Sequence, residues 1–83
     1  MKLEYTNLPD GPDHSEGVEG LADGVKFCAL LTRHGDVIVM TGSTESYGGW
    51  VYRAALPEGT TFMGAVRLAL VEWRNTTRAA VAV

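Results

Sequence analysis

Apolar side chains recur with the two-residue period of a β-strand in three segments in the middle of the chain. Val25–Thr32 and Asp36–Thr41 flank His34-Gly35, and this arrangement predicts a hairpin closed by a two-residue turn. In residues 50–56 every second side chain is apolar or aromatic, which predicts a third strand. We therefore expect an antiparallel sheet built around a central hairpin.

A two-residue turn sets the pairing of the hairpin, with Leu31 opposite Ile38 and Ala29 opposite Met40. One face is then almost wholly apolar: Val25, Phe27, Ala29, Leu31, Ile38 and Met40. The opposite face is mixed: Lys26, Cys28, Leu30, Thr32, Val37, Val39 and Thr41. We expect the apolar face to carry a helix and the mixed face to be covered by the N-terminal segment or by a second molecule.

The third strand ends at Pro57, and a helix is expected to follow, capped by Thr60 or Thr61 and running to about Arg74. Its apolar stripe has helical spacing: Phe62, Ala65, Val66, Ala69, Leu70 and Trp73. Residues 78–83 suit either an edge strand or a frayed continuation of the helix, and we favour the strand. The predicted fold class is α+β: a small single-layer antiparallel sheet of three to four strands, with one helix packed on one face.

The N-terminal residues give a weaker pattern. Residues 2–6 alternate as in a short strand, whereas residues 8–24 contain four glycines and two prolines and predict a loop or mobile arm. A short helix capped by Asp13, with Glu16 completing a capping box, is the alternative. We expect an acidic, Gly-rich arm or edge strand plus loop over residues 1–24, and a β-β-β-α-β core domain over residues 25–83.

Charge is distributed unevenly along the chain. Residues 1–23 hold six carboxylates and one lysine, a formal charge of −5, and residues 24–83 carry +2, for a total of −3. Five of these carboxylates recur at near-helical spacing: Asp10, Asp13, Glu16, Glu19 and Asp23. This pattern favours docking on the basic surface of a partner protein. The low pI and dispersed bases argue against direct binding of nucleic acid.

Aromatic side chains in the middle of the chain are candidate anchors for such a partner. Tyr47 and Trp50 lie in and beside a Gly-rich loop, and tyrosine and tryptophan often supply most of the binding energy at an interface. The alternative for Trp50 is that it completes the core.

Enzymatic chemistry is not indicated. Residues 44–49 (Thr-Glu-Ser-Tyr-Gly-Gly) resemble the nucleophile elbow of serine carboxypeptidases. However, both histidines precede Ser46, and a strand is expected where that fold requires a helix. The single Cys28 excludes an intramolecular disulfide. Asp10, Asp13, His14 and Glu16 do not have the spacing of a calcium loop, and we expect neither a cofactor nor a metal.

These observations favour a small, non-enzymatic, acidic protein that binds another protein. In size, charge and layout the chain looks like small phage-encoded proteins, among them inhibitors of bacterial CRISPR–Cas complexes. That resemblance implies docking on a basic nucleic-acid-binding surface of the partner, in the host cytoplasm. The alternative is a self-assembling structural component, such as a homodimer. No signal peptide or membrane span is apparent, so we expect a cytoplasmic protein.

Overall fold

A computed structural model describes residues 1–42 and 50–82, with side chains up to residue 76, and these residues form five strands and one helix. The elements are β1 (Leu3–Asn7), β2 (His14–Ala22), β3 (Val25–Thr32), β4 (Asp36–Thr41), β5 (Trp50–Ala55) and α1 (Phe62–Ala82). The strands form one open antiparallel sheet in the order β1-β2-β3-β4-β5. The α+β class, with one helix packed on an antiparallel sheet, is confirmed in a single small domain.

The predicted loop or short helix in the N-terminal segment is wrong over His14–Ala22, which form the longest strand of the sheet. This strand pairs with β1 on one side and β3 on the other. Val18 and Ala22 are buried against the helix. Two-sided pairing and this burial outweigh the weak strand propensity of a Gly-rich segment. The sheet therefore has five strands instead of three or four.

The hairpin prediction is confirmed for β3 and β4, but its pairing is shifted by one residue. Three residues, 33–35, form the connection, and Gly35 adopts a φ of 89° while its N–H donates to the Thr32 carbonyl at 3.0 Å. Leu31 consequently pairs with Val37, and Ala29 pairs with Val39.

A shift of one residue turns every side chain of a strand to the other face. In β4, Val37, Val39 and Thr41 are therefore buried under α1, while Ile38 and Met40 point away from it. The predicted assignment of the β4 side chains to the two faces is thus reversed, whereas that of β3 is correct.

Thr61, one of the two threonines predicted to cap the helix, forms the cap. Its Oγ1 accepts a hydrogen bond from the Gly64 N–H at 3.0 Å, which satisfies a donor in the first helical turn. The helix then runs to Ala82. The strand favoured for residues 78–83 is therefore wrong for residues 78–82, because this Ala-rich stretch contains no glycine or proline to end the helix.

The core lies between α1 and the sheet face that it covers. Its buried hydrophobic side chains come from β2, β3, β4 and the helix: Val18, Ala22, Phe27, Ala29, Val37, Val39, Phe62, Ala65, Val66, Ala69 and Leu70. Trp50 and Tyr52 of β5 pack against this cluster, with ring centroids 5.9 Å apart and planes 18° from parallel.

Candidate functional site

The sheet face that points away from α1 is the first candidate surface, and we call it the open face. Strand pairing places side chains from β2 to β5 on it, because they alternate with the buried ones. Val51 is 61% exposed there. The centre of the open face is apolar and consists of Cys28, Leu30, Ile38, Met40 and Val51.

Two rows of neighbouring side chains cross the open face from β2 to β5. The first row is Glu19, Cys28, Met40 and Val51, and the second is Gly17, Leu30, Ile38 and Arg53. Glu19 at the β2 end and Arg53 at the β5 end carry opposite charges on either side of the apolar centre. The Arg53 guanidinium also forms an ion pair with the Asp36 carboxylate, 3.0 Å from Nη2 to Oδ2.

Cys28 lies in the apolar centre and does not suit a nucleophilic role. Burial raises the pKa of its thiol, and the neighbouring Glu19 carboxylate raises the pKa further. The protonated thiol is favoured at neutral pH, and only the thiolate attacks an electrophile. The side chain therefore behaves as a small apolar group at this position.

A hollow of about 520 Å³ lies beside the apolar centre, where β1, β2 and β3 meet. Its lining includes two carboxylates and one amine, those of Glu4, Glu19 and Lys26. The Glu4 carboxylate is also 3.3 Å from the Lys2 amine. Charges of both signs line the hollow, so it does not select a cation or an anion by charge.

The second candidate surface is the acidic hairpin, which we define as residues 3–22: β1, β2 and the loop between them. It contains five carboxylates and no lysine or arginine. Glu16 pairs with Leu31 on the helix side, and Glu19 pairs with Cys28 on the open face. A helix would place these two carboxylates on one face, whereas the strand places them on opposite faces of the sheet.

Asp10 and Asp13 lie exposed in the loop at the tip of the acidic hairpin. Arg33 holds this loop: its Nη2 donates to the Gly11 carbonyl at 2.9 Å and its Nε to the Pro12 carbonyl at 3.2 Å. The His14 ring contributes a third contact, 3.0 Å from Nε2 to the carbonyl oxygen of Pro9. The two aspartates are therefore carried on an anchored loop.

Asp23 lies at the other end of β2, in the turn to β3, and does not join the other carboxylates. Nine residues of strand separate it from the tip of the hairpin, a span of about 30 Å. Its Oδ1 accepts a hydrogen bond from the Lys2 backbone N–H at 2.8 Å, and its Oδ2 is 3.8 Å from Arg74 Nη1. These contacts give Asp23 a structural role in joining the N-terminus to the helix.

Of the two aromatic candidates, Tyr47 and Trp50, the structure describes only Trp50. Trp50 is half-buried on the helix side of β5, where it packs against the core. Tyr47 and Ser46 lie outside the described residues. Sequence reasoning did not select Ile38, Met40, Val51 and Arg53 for the site. The signal that could have found Ile38 and Met40 was Gly35, because a three-residue hairpin loop commonly places glycine at its last position.

Within residues 1–42 and 50–82, no three His, Cys, Asp or Glu side chains converge as metal ligands would. In the same part of the chain, no helix combines the length and apolarity needed to cross a membrane. Comparison of the chain with family models, with curated proteins and with solved structures gave no match.

Proposed function

We propose that this protein acts by binding another protein, without catalysing a reaction, and that the acidic hairpin docks in a basic cleft of that partner. One observation carries the proposal: five exposed carboxylates are distributed around the acidic hairpin. They lie on both faces and at the tip, and they are Glu4, Asp10, Asp13, Glu16 and Glu19.

This distribution favours a cleft over a flat surface as the complementary shape. A flat basic surface would meet the carboxylates of one face and leave Glu16 or Glu19 in solvent. A cleft with lysines or arginines on both walls would meet both, and β1 is an edge strand that can enter it. Attraction between such opposite fields raises the association rate and the specificity more than the affinity.

Nucleic-acid-binding channels of proteins are clefts of this kind, since they are lined with basic side chains that neutralise phosphates. The partner we propose is therefore a nucleic-acid-binding protein or complex, and the protein would inhibit it by occupying the channel. The resemblance in size, charge and layout to small phage-encoded inhibitors of CRISPR–Cas complexes supports the same proposal. Such a protein would act in the cytoplasm of the host and would not itself bind nucleic acid.

The test is a pull-down from bacterial lysate with three tagged chains: the wild type, Asp13→Asn/Glu16→Gln, and the control Glu58→Gln/Glu72→Gln. Both variants lose two exposed carboxylates, but Glu58 and Glu72 lie outside the acidic hairpin. We expect one stoichiometric partner with a basic cleft, released as salt rises from about 50 to 500 mM. Its recovery should fall several-fold with the hairpin variant and be unchanged with the control. Equal recovery with all three chains would contradict the proposal.

A second candidate function is self-assembly into a structural component. The observation that favours it is the open face, whose apolar centre lies on the side of the sheet away from α1 and includes the 61% exposed Val51. Light scattering at micromolar concentration separates a chain that works as a monomer from one that assembles.

A further inference from the structure

We propose that the open face is the interface of a two-fold symmetric dimer of this chain, with the axis parallel to the strands and midway between β3 and β4. The inference concerns a different surface from the tip and helix side of the acidic hairpin. It shares Glu19 with the proposed docking in a basic cleft, but that docking is tested with Asp13→Asn/Glu16→Gln, which leaves the open face unchanged, so the failure of one proposal can be told from the failure of the other.

The symmetry follows from the composition of the two rows. A two-fold axis midway between β3 and β4 places β3 of one copy over β4 of the other, and β2 over β5. Cys28 then faces Met40 of the other copy, and Leu30 faces Ile38. Apolar side chains meet apolar side chains across the centre, which removes from water the surface that α1 leaves uncovered on this side of the sheet.

The charges at the ends of the rows support the same axis. Arg53 of one copy lies over Gly17 of the other, where the arginine stem can pack on the Leu8 and Leu30 side chains that cover this glycine. Glu19 is two residues along that strand, about 7 Å away, which is within reach of a guanidinium group. Arg53 can keep its ion pair with Asp36 and still donate to Glu19 of the second copy.

The alternative axis, perpendicular to the strands, is less favourable. It would place β2 over β2 and β5 over β5, so that Glu19 approaches Glu19 and Arg53 approaches Arg53. Like charges held at close range across an interface are destabilising. The opposite signs at the two ends of the rows therefore select a second copy of the chain, in one orientation, as the occupant of the open face.

The size of the interface predicts its strength. Four strands about 4.8 Å apart and about five residues long give a projected area of roughly 300 Å². Stable interfaces commonly bury about 800 Å² per partner, so we expect a weak dimer with a Kd in the micromolar range. In this arrangement β1 extends beyond β5 of the second copy, which leaves the outer strand of each acidic hairpin free at the ends of the dimer, whereas β2 contributes Glu19 to the interface.

The experiment is sedimentation equilibrium of the full chain from 1 to 200 µM, with apolar and charge variants. Ile38→Glu places a charge in the centre of the open face, and Leu68→Glu is its control, because Leu68 is 69% exposed on the helix. We expect a micromolar dimer for the wild type and for Leu68→Glu. Ile38→Glu should be a monomer with an unchanged far-UV circular dichroism spectrum.

A charge exchange tests the axis itself and does not disturb the apolar centre. Glu19→Arg and Arg53→Glu should each raise the Kd at least about tenfold, and the double variant should return it to within about threefold of the wild type. A monomeric wild type at 200 µM would overturn the proposal. A failure of the double variant to restore dimerisation, or a dimer that survives Ile38→Glu, would also overturn it.

Discussion

Gly20 of β2 lies directly against the backbone of Tyr5 in β1. A Cβ atom at position 20 would be 2.7 Å from the Tyr5 Cα and would also overlap the Glu4 carbonyl group. These neighbours are backbone atoms, so they cannot move aside as the end of a flexible side chain can. The glycine is what allows β1 to pair closely with β2 and to carry its part of the acidic hairpin.

Gly20→Ala is therefore expected to lower the free energy of unfolding by about 2–3 kcal/mol, through overpacking against the β1 backbone. Gly17→Ala is the matched control, because its added methyl would meet mainly Leu30 Cδ2, at 3.0 Å, and Leu8. We expect that substitution to cost about 1 kcal/mol or less. Urea denaturation followed by circular dichroism measures both values, and equal costs would contradict this account of β1.

Thr61→Ala should destabilise the protein by about 1 kcal/mol, because it leaves the Gly64 N–H without its side-chain acceptor. Thr61→Ser keeps a hydroxyl at the same position and should cost only a few tenths of that amount. Thermal and urea unfolding of the two variants are the measurement. A serine variant as unstable as the alanine variant would show that the threonine methyl matters more than the cap.

Arg33→Ala should release the loop at the tip of the acidic hairpin, since Arg33 binds two of its carbonyl groups. The Gly11 N–H, which donates to the His14 carbonyl at 3.2 Å, reports on that loop. Its hydrogen exchange should accelerate by roughly tenfold, while the core amide of Ala29 stays protected. Arg33→Lys keeps the charge but lacks the planar fork, so it should restore only part of the protection.

Glu19→Gln should increase the reactivity of the Cys28 thiol. The Glu19 carboxylate helps to raise the pKa of this thiol, so its removal should lower the pKa and raise the alkylation rate by iodoacetamide about two- to fivefold near pH 8. Glu16→Gln is the control, because Glu16 lies on the other face of the sheet. Equal rates in wild type and Glu19→Gln would show that burial alone sets the pKa.

The same shift in pKa makes stability depend on pH in a defined direction. A thiol whose pKa is higher in the folded than in the unfolded state stabilises the fold fully below the unfolded value, about 8.5, and that contribution disappears as the pH rises through the folded value. Urea midpoints of the wild type should therefore fall above about pH 8.5. The part of this decrease that is due to ionisation of the Cys28 thiol should be absent in Cys28→Ser.

Local sequence patterns were sufficient to predict an element wherever the side chains of that short segment determine its conformation. The alternation in β3 and β5 predicted both strands and their buried sides. The apolar stripe, with Thr60 or Thr61 as the cap, predicted the start and the packed face of α1. The concentration of carboxylates in the N-terminal segment also follows from the sequence alone. These features depend on side-chain periodicity and capping, which act over a few residues.

Long-range pairing decided the rest. Strand β2 exists because β1 and β3 pair with it and the core buries Val18, although its glycines favour a loop. Gly35 changed the register of β4 by one residue and so brought Ile38 and Met40, instead of Val37 and Val39, to the open face. For the acidic residues, only the strand conformation determined that Glu16 and Glu19 point to opposite faces of the sheet. A two-residue period separates positions that a helical period would bring together, and the tertiary pairing selects the period.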